Sequence, residues 1–157
     1  MNQDRASAPP AERGWLIFHL AGQPYAAPLT QVSEVVRDGD ITPVPGAAAD
    51  LLGIRQLRGR IVPVLDGCRR LGLPVDAGES ARRRIVVLSH QGHLVGLRVD
   101  AVGDLLDVSG EVVAAPPGRV VREDDPVEGV APCAGGFVAL LDVRRLCRLP
   151  EGLEAVA

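Results

Sequence analysis

From Trp15 onward apolar and polar positions recur with a period of two rather than 3.6. Leu16, Phe18 and Leu20 alternate with Ile17 and His19, which predicts a strand, and Gly22-Gln23-Pro24 turns the chain into a second short strand over Tyr25 to Pro28. The next stretch, Leu29 to Arg37, is amphipathic. Read as a short helix, it puts Val32, Val35 and Val36 on one side and Gln31 and Glu34 on the other; its β-branched content weighs against a helix, and Thr30 gives only an incomplete capping box. Asp38-Gly39-Asp40 closes it, and a proline-stiffened connector over 41–46 leads to the most informative part of the chain.

There, two apolar segments flank a charged pivot. Leu51, Leu52, Ile54 and Leu57 come before Arg58-Gly59-Arg60; Ile61, Val62, Val64 and Leu65 come after it, a β-branched run that predicts a buried strand. Glycine enters positive φ without penalty, so Gly59 predicts a tight hairpin that holds two guanidinium groups at a strand end. Pro63 brings no N–H to a ladder, which marks an edge, a bulge or a bend. A short helical turn follows over 67–72. Arg84 to Ser89 and Leu94 to Val99 form a second hairpin through His90-Gln91-Gly92-His93. Residues 100–108 fit helix and strand equally. A strand over Val127 to Pro132, a Gly135-Gly136 turn, a last strand from Phe137 to Leu141 and a helix from Asp142 to Leu149 complete the pattern. Asp142 caps that helix, Val143, Leu146 and Leu149 are its core face, and Pro150 and Gly152 end it. Many short strands with glycine and proline corners, and no helix long enough for crossovers, point to small barrels.

Composition narrows the function. At 157 residues with 46% hydrophobic residues, the chain can bury a real core. Residues 1–13, polar and rich in Pro and Ala, read as a disordered leader, and the acidic Glu123-Asp124-Asp125-Pro126 as a loop. The formal net charge is −3, although all 17 basic residues are arginine, and there are only one Trp, one Tyr and two Phe; this gives neither the positive field nor the stacking platform for nucleic acid. No apolar run approaches the ~18 residues that span a bilayer, which predicts a soluble intracellular protein without membrane insertion. Cys68, Cys133 and Cys147 lack metal-ligand spacing and are odd in number, as suits reduced, buried thiols.

Catalytic patterns are absent. There is no nucleophile elbow, phosphate-binding loop, dinucleotide fingerprint or H-E-x-x-H. His90 and His93 could pair on a metal, but no neighbouring carboxylate or thiol completes a set, so they read as turn residues; His19 reads as a rim histidine. No cofactor, metal or catalytic residue is assigned, and the sequence predicts a protein that is not an enzyme.

The central stretch, with the Trp15 to Leu20 strand, Gln31-Val32-Ser33-Glu34-Val35, Thr42-Pro43-Val44-Pro45-Gly46 and Ala139-Leu140-Leu141-Asp142-Val143-Arg144-Arg145-Leu146, resembles the CheW-type chemotaxis coupling proteins over residues 14 to 149. The resemblance implies a mainly β fold: two packed SH3-like five-stranded β-barrel subdomains with short helices and a C-terminal helix, spanning 14–150 and followed by a tail over 151–157. It implies a cytoplasmic adaptor, recruited to membrane-associated receptor arrays. Its partners would be the signalling tips of chemoreceptors and the regulatory domain of a CheA-type histidine kinase. Carried over by position, Val32, Glu34, Val35 and Arg58 fall on the coupling surface, while Gly53, Gly59, Pro63 and Asp66 match architectural positions. Arg55 and Gln56 depart from the small aliphatic residue and Asn common before Leu-Arg-Gly, adding charge beside the turn, and Ala48 replaces a common proline. The alternative is a divergent module of the same fold that binds one partner only, in a surface-motility or other chemosensory pathway.

Overall fold

The computed structural model describes residues 14–75, 78, 80–108 and 125–148. The expected leader, the Glu123 and Asp124 of the acidic loop, Leu149 with the Pro150 and Gly152 helix stop, and the tail lie outside the described residues. Among the described residues ten strands run in order: β1 (Gly14–Leu20), β2 (Gln23–Pro28), β3 (Val32–Arg37), β4 (Leu51–Leu57), β5 (Arg60–Asp66), β6 (Arg84–His90), β7 (His93–Val99), β8 (Ala101–Asp107), β9 (Val127–Cys133) and β10 (Gly136–Leu141). Two one-turn helices, α1 (Gly67–Arg70) and α2 (Val143–Leu146), follow β5 and β10.

The strands form two mixed five-stranded sheets, ordered β8-β1-β2-β10-β9 and β3-β6-β7-β5-β4. These orders are equivalent. Replace β1 and β2 by β6 and β7, and β8, β9 and β10 by β3, β4 and β5, and one sheet becomes the other. Each half of the chain therefore contributes a hairpin to one sheet and three strands to its partner. The parallel contacts match, β10 with β2 and β5 with β7. So do the register shifts, between Leu16 and Phe18 where β1 meets β8 and between Val32 and Glu34 where β3 meets β6. The molecule has a pseudo-two-fold axis between its sheets.

Strand alternation distributes the apolar residues into three cores. In β1, Leu16, Phe18 and Leu20 point to a central core shared by both sheets, while Trp15 and Ile17 point to the far side of the first sheet. In the second sheet Val86, Leu88, Val95 and Leu97 enter the central core, and Val62, Val64, Ile85 and Val87 enclose a core of their own. Val36 of β3 and Leu57 of β4 both pack on that last core although they belong to opposite ends of the sheet, so the sheet is curled with its ends together. Gly96 permits this packing, because a Cβ there would lie 2.8 Å from Ile85 Cγ2 and 3.3 Å from Val64 Cγ2.

Three readings that the sequence left open are decided, and one, the length of the C-terminal helix, is corrected. Leu29–Gln31 is a 3₁₀ turn, and Val32–Arg37 is strand, not helix: Val32 pairs with Leu88 and packs on the central core, Val36 pairs with Ile85 and packs on the second sheet's own core, and Val35 is exposed. Residues 101–107 are likewise strand. The C-terminal helix is the single turn Val143–Leu146, although Asp142 caps it as expected by accepting from the Arg145 N–H at 3.3 Å. Pro63 is not on an edge strand, since β5 lies between β7 and β4; its missing N–H is tolerated because β5 pairs with β7 only from Val64 onward.

Candidate functional site

The β4–β5 hairpin turns on Arg58 (φ 50°) and Gly59 (φ 79°), the two left-handed residues of a type I′ turn. Ala21-Gly22 and Gln91-Gly92 turn the same way, so the conformation of Arg58 belongs to the turn type and does not itself mark a function. What the turn does is separate two guanidiniums. Arg58 reaches across the seam between the sheet's two end strands, placing Nη2 3.2 Å and Nε 3.3 Å from the carboxylate oxygens of Glu34 on β3. Arg60 donates instead to the Gly92 carbonyl of the neighbouring hairpin at 3.1 Å.

The Arg58 side chain is 82% exposed and that of Glu34 24%. The hydrogen bond and charge of Glu34 raise the Arg58 pKa further above its ordinary value, so the Arg58 guanidinium stays charged. Such an exposed pair adds little to folding. On the strands nearest the pair, Val35 and Ile61 are exposed apolar side chains, and Val32 packs against the central core. The four predicted surface residues thus divide: Glu34 and Arg58 bond to each other, Val35 is accessible, and Val32 is chiefly a packing residue. Ile61 was not singled out from sequence, because the β-branched run to which it belongs reads as wholly buried.

The pseudo-two-fold axis provides an internal comparison. Aligning the end strands on their paired partners sets Val35 over Leu105, Glu34 over Asp104 and Ile61 over Phe137; all four of the apolar members are exposed. The hairpin tip equivalent to Arg58-Gly59 is Ala134-Gly135. The fold therefore forms this corner without an arginine, and the ion pair distinguishes one of two otherwise equivalent surfaces.

Neighbouring residues hold the corner in place. Gly53 (φ 152°) lies against Thr42, which exchanges backbone hydrogen bonds with Ile54 at 2.8 and 2.9 Å; a Cβ on Gly53 would collide with the Thr42 carbonyl oxygen. Arg55 is not a free charge beside the turn. Its side chain is only 13% exposed and donates to the carbonyls of Arg37 and, at 3.1 Å, Gly39, closing the seam below Arg58. Gln56 is exposed. Asp66, buried at the far end of β5, accepts from the Cys68 and Arg69 N–H groups at 3.0 and 3.4 Å and pairs with Arg98 at 3.1 Å.

Burial pushes the Cys68 thiol up to about 11, with Asp100 and Asp66 adding to the effect, and the Cys147 thiol up to about 12, so neither is a thiolate at neutral pH. His90 and His93 face each other across the end of their hairpin, outside any cluster of three or more metal-ligating side chains among the described residues. No helix among them is long and apolar enough to cross a membrane.

A family model described as the CheW-like domain matches residues 14–151. The chain belongs to the CheW-like domain family. Among relatives of this family, the chemotaxis protein CheW of Rhizobium meliloti is 34% identical over 132 residues, covering 83% of this chain and 84% of that protein. The chemotaxis protein CheW of Bacillus subtilis is 29% identical over 142 residues, 90% of each. The crystal structure of the scaffolding protein TtCheW from Thermoanaerobacter tengcongensis superposes with a TM-score of 0.77 at 30% identity, covering 86% of this chain and 92% of that one. As a member of the CheW-like family the chain is a non-catalytic chemotaxis scaffold.

Proposed function

We propose that this protein is the adaptor that couples the signalling tips of chemoreceptors to a CheA-type histidine kinase, and that Glu34, Val35 and Arg58, backed by Val32, form its coupling surface. The observation that carries the reading is the Glu34–Arg58 pair, an exposed ionic contact on one of two equivalent corners, flanked by exposed Val35 and Ile61. A helical hairpin presented to this corner would meet apolar side chains beside a fixed charge pair, the combination that gives a helix-docking surface its affinity and its choice of partner. The adaptor works in the cytoplasm and is recruited to receptor arrays through these contacts.

The test mixes the protein with the kinase regulatory domain and the receptor's cytoplasmic hairpin and measures both complex size and kinase autophosphorylation. A ternary complex with raised kinase activity is expected. Binding to one partner alone, with activity unchanged, would instead identify a divergent module.

A further inference from the structure

The pseudo-two-fold axis exposes one contact that breaks it. Each half of the chain ends in a strand, a capping aspartate and a one-turn helix, so that Asp66 and α1 correspond to Asp142 and α2. Counting from the two aspartates, Arg70 corresponds to Leu146. The Arg70 guanidinium crosses between the halves: Nε donates to the Leu146 carbonyl at 2.8 Å and Nη2 to the Arg145 carbonyl at 2.7 Å. These are last-turn carbonyls, beyond the reach of the i→i−4 ladder of a four-residue helix; that of Arg145 also accepts from the Arg148 N–H at 3.5 Å. On its other side the same Nε lies 3.9 Å from Asp50, whose backbone carbonyl accepts the Asp66 N–H at 2.8 Å. The side chains of Arg70 and Asp50 are 20% and 29% exposed, so the contact is partly shielded from solvent.

The position of these groups matters more than their number. Asp50 immediately precedes β4 and α1 immediately follows β5, so Arg70 and Asp50 mark the base of the hairpin whose tip is Arg58-Gly59. β4 is an end strand with a full ladder on one side only, and on the other it has the single bridge from Ile54 to Thr42. We propose that Arg70 is a positioning residue for the coupling surface: it fastens the base of the β4–β5 hairpin to α2, so that load applied at Arg58 passes to the opposite sheet and is not absorbed by movement of the hairpin. The functional half of this inference rests on the adaptor reading; the mechanical half does not.

The experiment compares wild type, Arg70→Lys and Arg70→Met. Lysine keeps the charge beside Asp50 and reaches one carbonyl, and methionine keeps an apolar stem with no donor. Amide exchange at Leu57 and Arg60, the residues flanking the tip, should accelerate by about tenfold in Arg70→Met and by less in Arg70→Lys, while the unfolding transition remains cooperative. With both partners present, kinase activation should fall in the same order, by about fivefold or more in Arg70→Met, while receptor-hairpin and kinase affinities measured singly stay within about twofold. Unchanged exchange at the tip overturns the proposal, and so does full coupling by Arg70→Met or a loss of single-partner affinity as large as the loss of coupling. If the wild-type protein forms no ternary complex, the adaptor reading fails and the exchange measurement alone decides the mechanical claim.

Discussion

Asp66 is the residue on which the end of the β4–β5 hairpin depends, and replacing it has a cost that can be worked out from its contacts. In Asp66→Ala two N–H groups at the start of α1 lose their acceptor, which removes about 1 kcal/mol. Arg98, with 22% of its side chain exposed, loses its partner at 3.1 Å and keeps Asp38 at 3.9 Å. Breaking a fully buried pair costs about 3–5 kcal/mol; with solvent and Asp38 still available, about 1–2 kcal/mol is expected. The sum is about 2–3 kcal/mol, a fall in Tm of about 5–10 °C for a chain of this size. Asp66→Asn retains an acceptor oxygen for the cap and should lose only the ionic part. Urea unfolding followed by the fluorescence of Trp15, the sole tryptophan and nearly buried, measures all three proteins. A loss under about 1 kcal/mol in Asp66→Ala, or an equal loss in Asp66→Asn, would refute this division between cap and ion pair.

Two further outcomes follow from the packing. Gly96→Ala should destabilise the protein by about 1–3 kcal/mol in the same assay, because the new methyl group must displace the methyl groups of Ile85 and Val64 in a closed core; a neutral substitution would show that core to be loose. The thiols predict a loss of stability in alkali. Folding raises the pKa of Cys147 from 9.0 to about 12 and that of Cys68 to about 11, so the folded state holds both protons more tightly than the unfolded chain does. Their contribution is complete below about pH 9 and disappears as the pH rises through 11 to 12; the urea midpoint should fall across that window, and by less in Cys147→Ala.

The strands that were legible in the sequence are those bounded by clear turn signals. β1 alternates after Trp15, β6 and β7 are apolar segments on either side of His90-Gln91-Gly92-His93, and the Arg58-Gly59 turn follows from glycine between two apolar runs. β3 was obscured by its bulge. The register shift between Val32 and Glu34 sets Val32 opposite Leu88 of the central core but Val36 opposite Ile85 of the second sheet's own core, so positions an even number apart face opposite ways, whereas the spacing of the three valines also fits one side of a helix. β8 carries the equivalent shift and was ambiguous for the same reason. The exchange of strands between sheets depends on contacts far apart in sequence, and no local pattern encodes it. One trace of the repeat was nonetheless present: Val62, Leu65, Asp66 and Arg69 recur with the same spacing as Val138, Leu141, Asp142 and Arg145.

For the candidate site, resemblance identified Glu34 and Arg58 separately, but their pairing across 24 positions appeared only when the curled sheet brought its end strands together. Arg55 shows the reverse. In the sequence it is an added charge, and in the fold most of its side chain is covered and its guanidinium is spent on backbone carbonyls.

The coupling role of Arg58 is tested most directly by kinase autophosphorylation, at saturating receptor hairpin and kinase, with wild type and Arg58→Glu compared. The substitution sets a carboxylate against Glu34 on an exposed corner that the other half of the molecule builds without an arginine. The variant should therefore fold with nearly unchanged Tm while its activation of the kinase falls by about tenfold or more. Full activation by Arg58→Glu, or a loss of activity matched by a collapse in Tm, would contradict the assignment of this corner as the coupling surface.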